Sequence, residues 1–282
     1  MDQKQMLEEW KEQLGELFSE REIRNLFYLT LEDVLGFNRS VNLFSRIRAF
    51  SKDQTHKLQE VLSRLKMGEP LQYIAGFTCF DDLKIKVAPE VLIPRPETEE
   101  LVAWVQESIA IKENLKIEDW CTGSGCIALA LKNRNPGFEV KGYDISPEAL
   151  EIAAENAREL NLEVEFQQKD ALNAEKNGKV DVVISNPPYI PWKEKGEMHQ
   201  NVTEFEPGLA LFVPNEDPLV FYRSLADYAS KTLLLGGFLF FELHENYALE
   251  IKKMIENRGF VSVEIRMDLQ GKQRMLKAIW SA

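Results

Sequence analysis

The chain has 282 residues, 44% of them apolar and 28% charged, a length that suits one large domain or one domain with a smaller attachment and a composition typical of soluble globular proteins. Its formal net charge of −12 disfavours nucleic acid as a partner, because gripping a phosphate backbone calls for a basic surface, and leaves protein partners open. No window of about 18 apolar residues could span a bilayer, so no membrane association is expected.

In chain order, the acidic start MDQKQMLEEW lacks the basic and apolar stretches of a signal peptide, which points to a cytoplasmic protein. Residues 1 to about 70 read as helices. Leu7, Trp10, Leu14 and Leu17, then Ile23, Leu26, Phe27, Leu31, Val34 and Leu35, recur at three- and four-residue steps. A third helical stretch, from about Asp53 to Met67, stops at Gly68 with Pro70 just beyond. Two β-rich runs flank Asp81-Asp82 and read as a hairpin. From about residue 95, strands alternate with helices in the manner of a doubly wound parallel sheet. Strands are expected near 115–120, 138–143, 163–168, 180–185, 232–241, 259–265 and 274–280. Between the second and third, Ser146 is a helix N-cap with Pro147 at the first helical position. The expected organisation is a helical domain over 1–70, a β-hairpin linker over 71–94 and an α/β domain over 95–282.

Three constellations carry chemistry. The first is the turn Cys121-Thr122-Gly123-Ser124-Gly125 between the first sheet strand and a helical run. Glycines there permit positive φ and let a ligand touch the backbone, while the helix N-terminus offers free N–H groups. A tight turn in any α/β fold would look similar. The second is Asp144 at the end of the next strand, where a carboxylate can bind a ribose diol or merely assist the following helix cap. Asp170, after the third strand, would sit beside the base of the same ligand. A dinucleotide is disfavoured, because the full G-x-G-x-x-G spacing and a second nucleotide-binding half are missing.

The third and sharpest constellation is Asn186-Pro187-Pro188-Tyr189, directly after the apolar run 180–185. In an open α/β sheet this is the strand end beside the switch point, where ligands bind. An amide or exocyclic amine nitrogen is a poor nucleophile, so a site must hold it by its own N–H donors. The Asn186 side-chain oxygen and the Pro187 carbonyl are two acceptors for that purpose. The proline ring fixes the carbonyl's direction, and Tyr189 offers a flat face for a flat group. His56, His199 and His244 stand in no motif that nominates a general base. Cys79, Cys121 and Cys126 are an odd number without paired-ligand spacing, so neither a disulfide framework nor a metal site is expected.

With these residues in view, the chain resembles the release factor glutamine methyltransferase family across nearly its whole length. The match extends to Val91 through Glu99 (VLIPRPETE), Asp144-Ile145-Ser146-Pro147, Glu206-Pro207, Phe221-Tyr222-Arg223, Gly236-Gly237 and the run from Asp268 to Arg274. The resemblance implies a Rossmann-like methyltransferase sheet with an antiparallel last strand, a linking hairpin and an N-terminal helical domain that docks the substrate. It implies S-adenosyl-L-methionine held by residues 121–125, Asp144, Asp170, Ala171 and Asn186. The substrate would be a glutamine amide of a peptide chain release factor, held on Asn186, Pro187, Pro188 and Tyr189. The sequence leaves the oligomeric state open, with a monomer expected. The family carries glycine where this chain has Cys121 and favours an aromatic residue where it has Ala171. Asn-Pro-Pro-Tyr is shared with adenine N6-methyltransferases of DNA or RNA, which is the alternative reading, and a binding protein of degenerate methyltransferase fold is a third.

Overall fold

The computed structural model describes residues 1–37, 49–109, 113–175 and 178–281, so part of the expected N-terminal helical pattern lies outside the described residues. Two compact units emerge. One comprises Met1–Phe77 with His199–Phe205, the other Thr78–Met198 with Glu206–Ala282.

The first unit is helical. Its long helices α1 (Gln3–Leu14), α2 (Glu20–Asp33) and α3 (Lys52–Lys66) each open on a reciprocal capping box, formed by Asp2 with Gln5, Ser19 with Glu22 and Ser51 with Gln54. Each box satisfies two backbone donors that the helix start would otherwise strand, and such a cap contributes about 1 kcal/mol. The buried stripe is Met6, Trp10 and Leu14 on α1, Ile23, Phe27 and Leu31 on α2, and Leu58, Val61, Leu62 and Leu65 on α3. Trp10 meets Phe27 edge to face, with ring centroids 5.2 Å apart. Leu17, expected on the apolar face, is instead exposed, because α1 ends at Leu14. Gly68 stops the third helix in the left-handed region at φ +87°, and the short α4 (Leu71–Ala75) follows.

Strands β1 (Phe77–Phe80) and β2 (Leu83–Lys86) form a two-stranded sheet. Asp81 and Asp82 between them both take positive φ, 50° and 62°, as a two-residue type I′ turn requires. Helix α5 (Pro96–Ile109) then leads into a seven-stranded sheet. Its strands are β3 (Lys116–Trp120), β4 (Glu139–Asp144), β5 (Glu165–Gln168), β6 (Val180–Ser185), β9 (Leu233–Glu242), β10 (Phe260–Met267) and β11 (Gln273–Trp280). The short strands β7 (Ile190–Pro191) and β8 (Phe212–Val213) pair separately.

The spatial order is β10-β11-β9-β6-β3-β4-β5, with β11 antiparallel to both its neighbours. The antiparallel last strand expected from the family resemblance is therefore present. β3 lies between β4 and β6, parallel to both, which makes its C-terminal end the switch point where a crevice opens. The further helices of this unit are α6 (Cys126–Arg134), α7 (Pro147–Leu160), α9 (Gly208–Leu211), α10 (Val220–Thr232) and α11 (Ala248–Glu256), while α8 (Gln200–Phe205) belongs to the helical unit. Ser146 caps α7 by accepting from the Ala149 N–H at 3.1 Å. The core of this unit packs Trp120, Val183, Leu239 and Phe241 of the sheet against Tyr222, Leu225 and Ile251 of α10 and α11. No helix among the described residues is long and apolar enough to cross a membrane.

Candidate active site

A cleft of about 380 Å³ opens at the C-terminal ends of β3, β4 and β6, within the second unit. Its floor is the turn from β3 into α6. Cys121, Gly123 and Gly125 take positive φ of 59°, 54° and 80°. At Gly123 an added Cβ would meet nothing within 4 Å, so the backbone there is bare toward open space. At Gly125 a Cβ would stand 2.9 Å from the Phe166 ring, and only glycine fits. Gly125 is the N-cap of α6 and supplies no side-chain cap, which leaves the start of that helix open to an anionic group, although the Ala128 N–H already favours the Asp119 carboxylate. The buried Asn156 of α7 anchors the turn by donating to the Ser124 carbonyl at 2.9 Å.

Asp144 ends β4 with one carboxylate oxygen accepting from Gly123 N–H at 2.8 Å and the other from Ser146 N–H at 3.1 Å. Burial pushes its carboxyl above the usual range, while those backbone donors oppose the shift. Asp170 borders the cleft but spends its oxygens on the Leu172 N–H and the Asn173 amide, at 2.8 and 2.6 Å. Ala171 is buried, its carbonyl held by the Ser224 hydroxyl at 2.7 Å. Ile145, Leu172 and Phe221 supply the larger apolar surfaces at that end of the cleft. Ile145 and Leu172 remain 45% and 41% exposed.

Asn186 and Pro188 line the cleft, whereas Pro187 and Tyr189 do not. Pro187 is buried, and the Tyr189 hydroxyl turns away to donate to Glu242 at 3.1 Å. The Asn186 amide nitrogen donates to the Thr98 hydroxyl at 3.2 Å, and Thr98 donates to Glu242 at 2.6 Å. Thr98 belongs to α5, whose preceding segment also lines the cleft through Val91, Pro94 and Arg95. Arg95 is anchored on the buried Glu206 at 2.5 Å, and Glu206 also accepts from the Ile93 N–H at 3.3 Å. The Ile-Pro-Arg-Pro-Glu-Thr-Glu and Glu-Pro segments are thereby one structural piece.

Sequence reasoning passed over Glu242, Leu172 and Asn156. The only signal for Glu242 was an acidic residue inside the apolar strand LLLGGFLFFE, and nothing local marks the other two. His244 is bonded to Glu194 at 2.9 Å and packs edge to face on Tyr189. No cluster of three or more potential metal ligands occurs among the described residues.

Two family profiles match the chain, PrmC N-terminal domain over residues 5–76 and Methyltransferase small domain over 98–204. The release factor glutamine methyltransferase of Bacteroides thetaiotaomicron is 39% identical over 273 residues, covering 95% of this chain and 96% of that protein. The one from Lactococcus lactis is 42% identical over 226 residues, covering 79% and 83%. Among solved structures, a methyltransferase from Pyrococcus furiosus superposes with a TM-score of 0.52 at 16% identity, covering 82% of this chain and all of that one, which speaks to the fold alone. The extent and level of the sequence identity place this chain in the release factor glutamine methyltransferase family.

Proposed function

We propose that this protein transfers the methyl group of S-adenosyl-L-methionine to the side-chain amide nitrogen, N5, of the glutamine in the Gly-Gly-Gln motif of peptide chain release factors. The observation that carries this reading is Asn186 at the end of β6, lining the cleft with its amide nitrogen engaged by Thr98 and its oxygen free of that bond.

The cleft suits the cofactor by its own chemistry. The bare backbone at Gly123 and the uncapped α6 start would take the methionine carboxylate end, and Asp144 would take the ribose diol. Ile145 and Leu172 would flank the base, with Asp170 and Ala171 fixing the turn that carries Leu172. When bound, S-adenosylmethionine supplies an electrophilic methyl carbon attached to a sulfonium.

The residues of this chain position the acceptor. The Asn186 oxygen receives the amide N–H of the substrate in the cleft, and Pro188 helps wall the site. The expected catalytic contribution is placement of the nitrogen in line, about 3 to 3.5 Å from the carbon it attacks. A nitrogen alkylated in this way is strongly acidic and gives up its proton to water, so no dedicated base is needed. His244, bonded to Glu194 and packed on Tyr189, is not placed in that role. The helical unit is the second contact surface, because one glutamine side chain offers little of the roughly 1,600 Å² that specific interfaces bury. A cytoplasmic monomer without stable nucleic-acid binding completes the reading, in keeping with the net charge of −12.

The test offers methyl-labelled S-adenosylmethionine with an intact release factor, DNA or RNA. Label is expected on the release factor glutamine alone. Asn186→Ala should nearly abolish transfer while cofactor affinity changes little, since the side chain's partner is the substrate amide. Label in nucleic acid alone, or full activity of the variant, would overturn this reading.

A further inference from the structure

We infer that Glu242 is a positioning residue: acting through Thr98, it sets which end of the Asn186 amide faces the cleft, and so makes the site an acceptor of N–H groups. This inference rests on the methyl-transfer reading above. Glu242 ends β9 and is only 1% exposed. Its Oε2 accepts from the Thr98 hydroxyl at 2.6 Å and its Oε1 from the Tyr189 hydroxyl at 3.1 Å. Burial pushes its carboxyl above the usual range, opposed by the Thr98 hydroxyl, the nearby positive charge of Arg274 on β11 and the Tyr189 hydroxyl, and reinforced by the charge of Glu97.

Both Glu242 oxygens accept in this arrangement, and a threonine hydroxyl has one proton to give. With that proton committed to Glu242, Thr98 can offer Asn186 nothing but a lone pair. The Asn186 amide must then turn its NH₂ toward Thr98, where Nδ2 lies 3.2 Å from Oγ1, and keep its carbonyl oxygen for the cleft. A flipped amide would set oxygen against oxygen at Thr98 and present donors to a substrate that brings donors of its own. The accepting oxygens of one buried side chain thus fix the polarity of a neutral side chain two hydrogen bonds away. It also holds Tyr189, whose hydroxyl pKa is raised by burial and by Glu242 itself, which keeps it a donor. Thr98 and Glu242 stand 144 positions apart in the chain, so no local pattern joins them.

Glu242→Gln reverses the chain of donors. The new NH₂ would donate to Thr98, the Thr98 proton would swing to Asn186, and the Asn186 amide would flip. Full-length wild type, Glu242→Gln, Thr98→Val and Thr98→Ser are compared for kcat and KM on an intact release factor, for S-adenosylmethionine affinity and for melting temperature. Glu242→Gln and Thr98→Val should each lower kcat roughly 10- to 100-fold, the range set by an unfavourable buried polar contact. Cofactor affinity and melting temperature should stay near wild type, and Thr98→Ser should restore the activity that Thr98→Val loses.

The decisive arm repeats Glu242→Gln in an Asn186→Asp background. A carboxylate at 186 presents an acceptor to the cleft whichever oxygen Thr98 binds, so Glu242→Gln should lose its penalty there or raise the rate. Wild-type kcat in Glu242→Gln, or an equal penalty in both backgrounds, would overturn the inference. The substrate control keeps the two readings apart. If the wild type methylates an adenine amine in place of the release factor, the proposed substrate fails. The same cycle run on adenine still decides the polarity, because that amine also brings N–H donors.

Discussion

Asp119 is fully buried near the end of β3, and its carboxyl is pushed up to about 7 by loss of solvent, with the Asp144 charge adding to the shift. The Thr122 hydroxyl donates to one oxygen at 2.5 Å. The other has no hydrogen-bonding partner among the described residues, although the nearby Ala128 N–H favours its charge. Because the folded value lies above the ordinary 3.8, the folded state holds the proton more tightly than the unfolded chain. The resulting stabilisation is complete below the unfolded pKa and is lost as pH rises to about 7, at up to about 1.4 kcal/mol per unit. Asp119→Asn should therefore flatten the fall in unfolding free energy between about pH 4 and pH 7. Urea denaturation of both proteins across that window checks this, and an unchanged slope would exclude Asp119 as its source. At this scale the sequence showed residue types but not partners. Asp144, Asp170 and Asn186 were visible because each follows a strand. That Tyr189 donates to Glu242 instead of lining the cleft depends on a residue 53 positions away.

The turn from β3 to α6 is legible as an element and surprising in one member. Cys121 stands in the left-handed region at φ +59°, which costs a non-glycine residue about 1 to 2 kcal/mol. Its side chain packs partly buried against the sheet core, and burial with the Asp144 charge raises its thiol well above the ordinary pKa. Cys121→Gly relieves the strain but loses that packing and frees the unfolded backbone, by about 0.5 to 1 kcal/mol. The changes should nearly cancel in melting temperature, while S-adenosylmethionine affinity is kept or tightened. Cys121→Val, β-branched at a positive φ, should lose both. Calorimetry with the cofactor decides the matter: weaker binding by Cys121→Gly would show that the thiol makes a favourable contact. Strands β6 and β9 were readable because buried parallel strands are short apolar runs set between turn signals. Gly142 in β4 was not, since the need for glycine there arises from the Phe166 ring on the next strand, 2.5 Å from where its Cβ would lie.

The whole molecule comprises two units with separate cores, and one detail of that partition escapes any local reading. Residues His199–Phe205, in the middle of the catalytic sequence, belong to the helical unit, a grouping that periodicity cannot reveal because contact over long separation decides it. All residues that line the cleft belong to the other unit. A defect planted in the helical core therefore tests what the helices contribute apart from the cleft. Trp10 is fully buried against Phe27, and replacing such a side chain by alanine costs about 3 to 5 kcal/mol. Trp10→Ala should loosen the helical unit, seen as faster proteolysis within residues 1–77, while S-adenosylmethionine affinity stays near wild type. If the helices dock the release factor, methylation of the intact factor should fall at least tenfold, a loss of about 1.4 kcal/mol in transition-state binding. Methylation of a short Gly-Gly-Gln peptide at high concentration should persist, because that substrate engages the cleft alone. Equal loss on both substrates, in step with weakened cofactor binding, would mean that the helices only support the catalytic unit. An unchanged rate on the intact factor from a protein with demonstrably loosened helices would remove them from substrate selection.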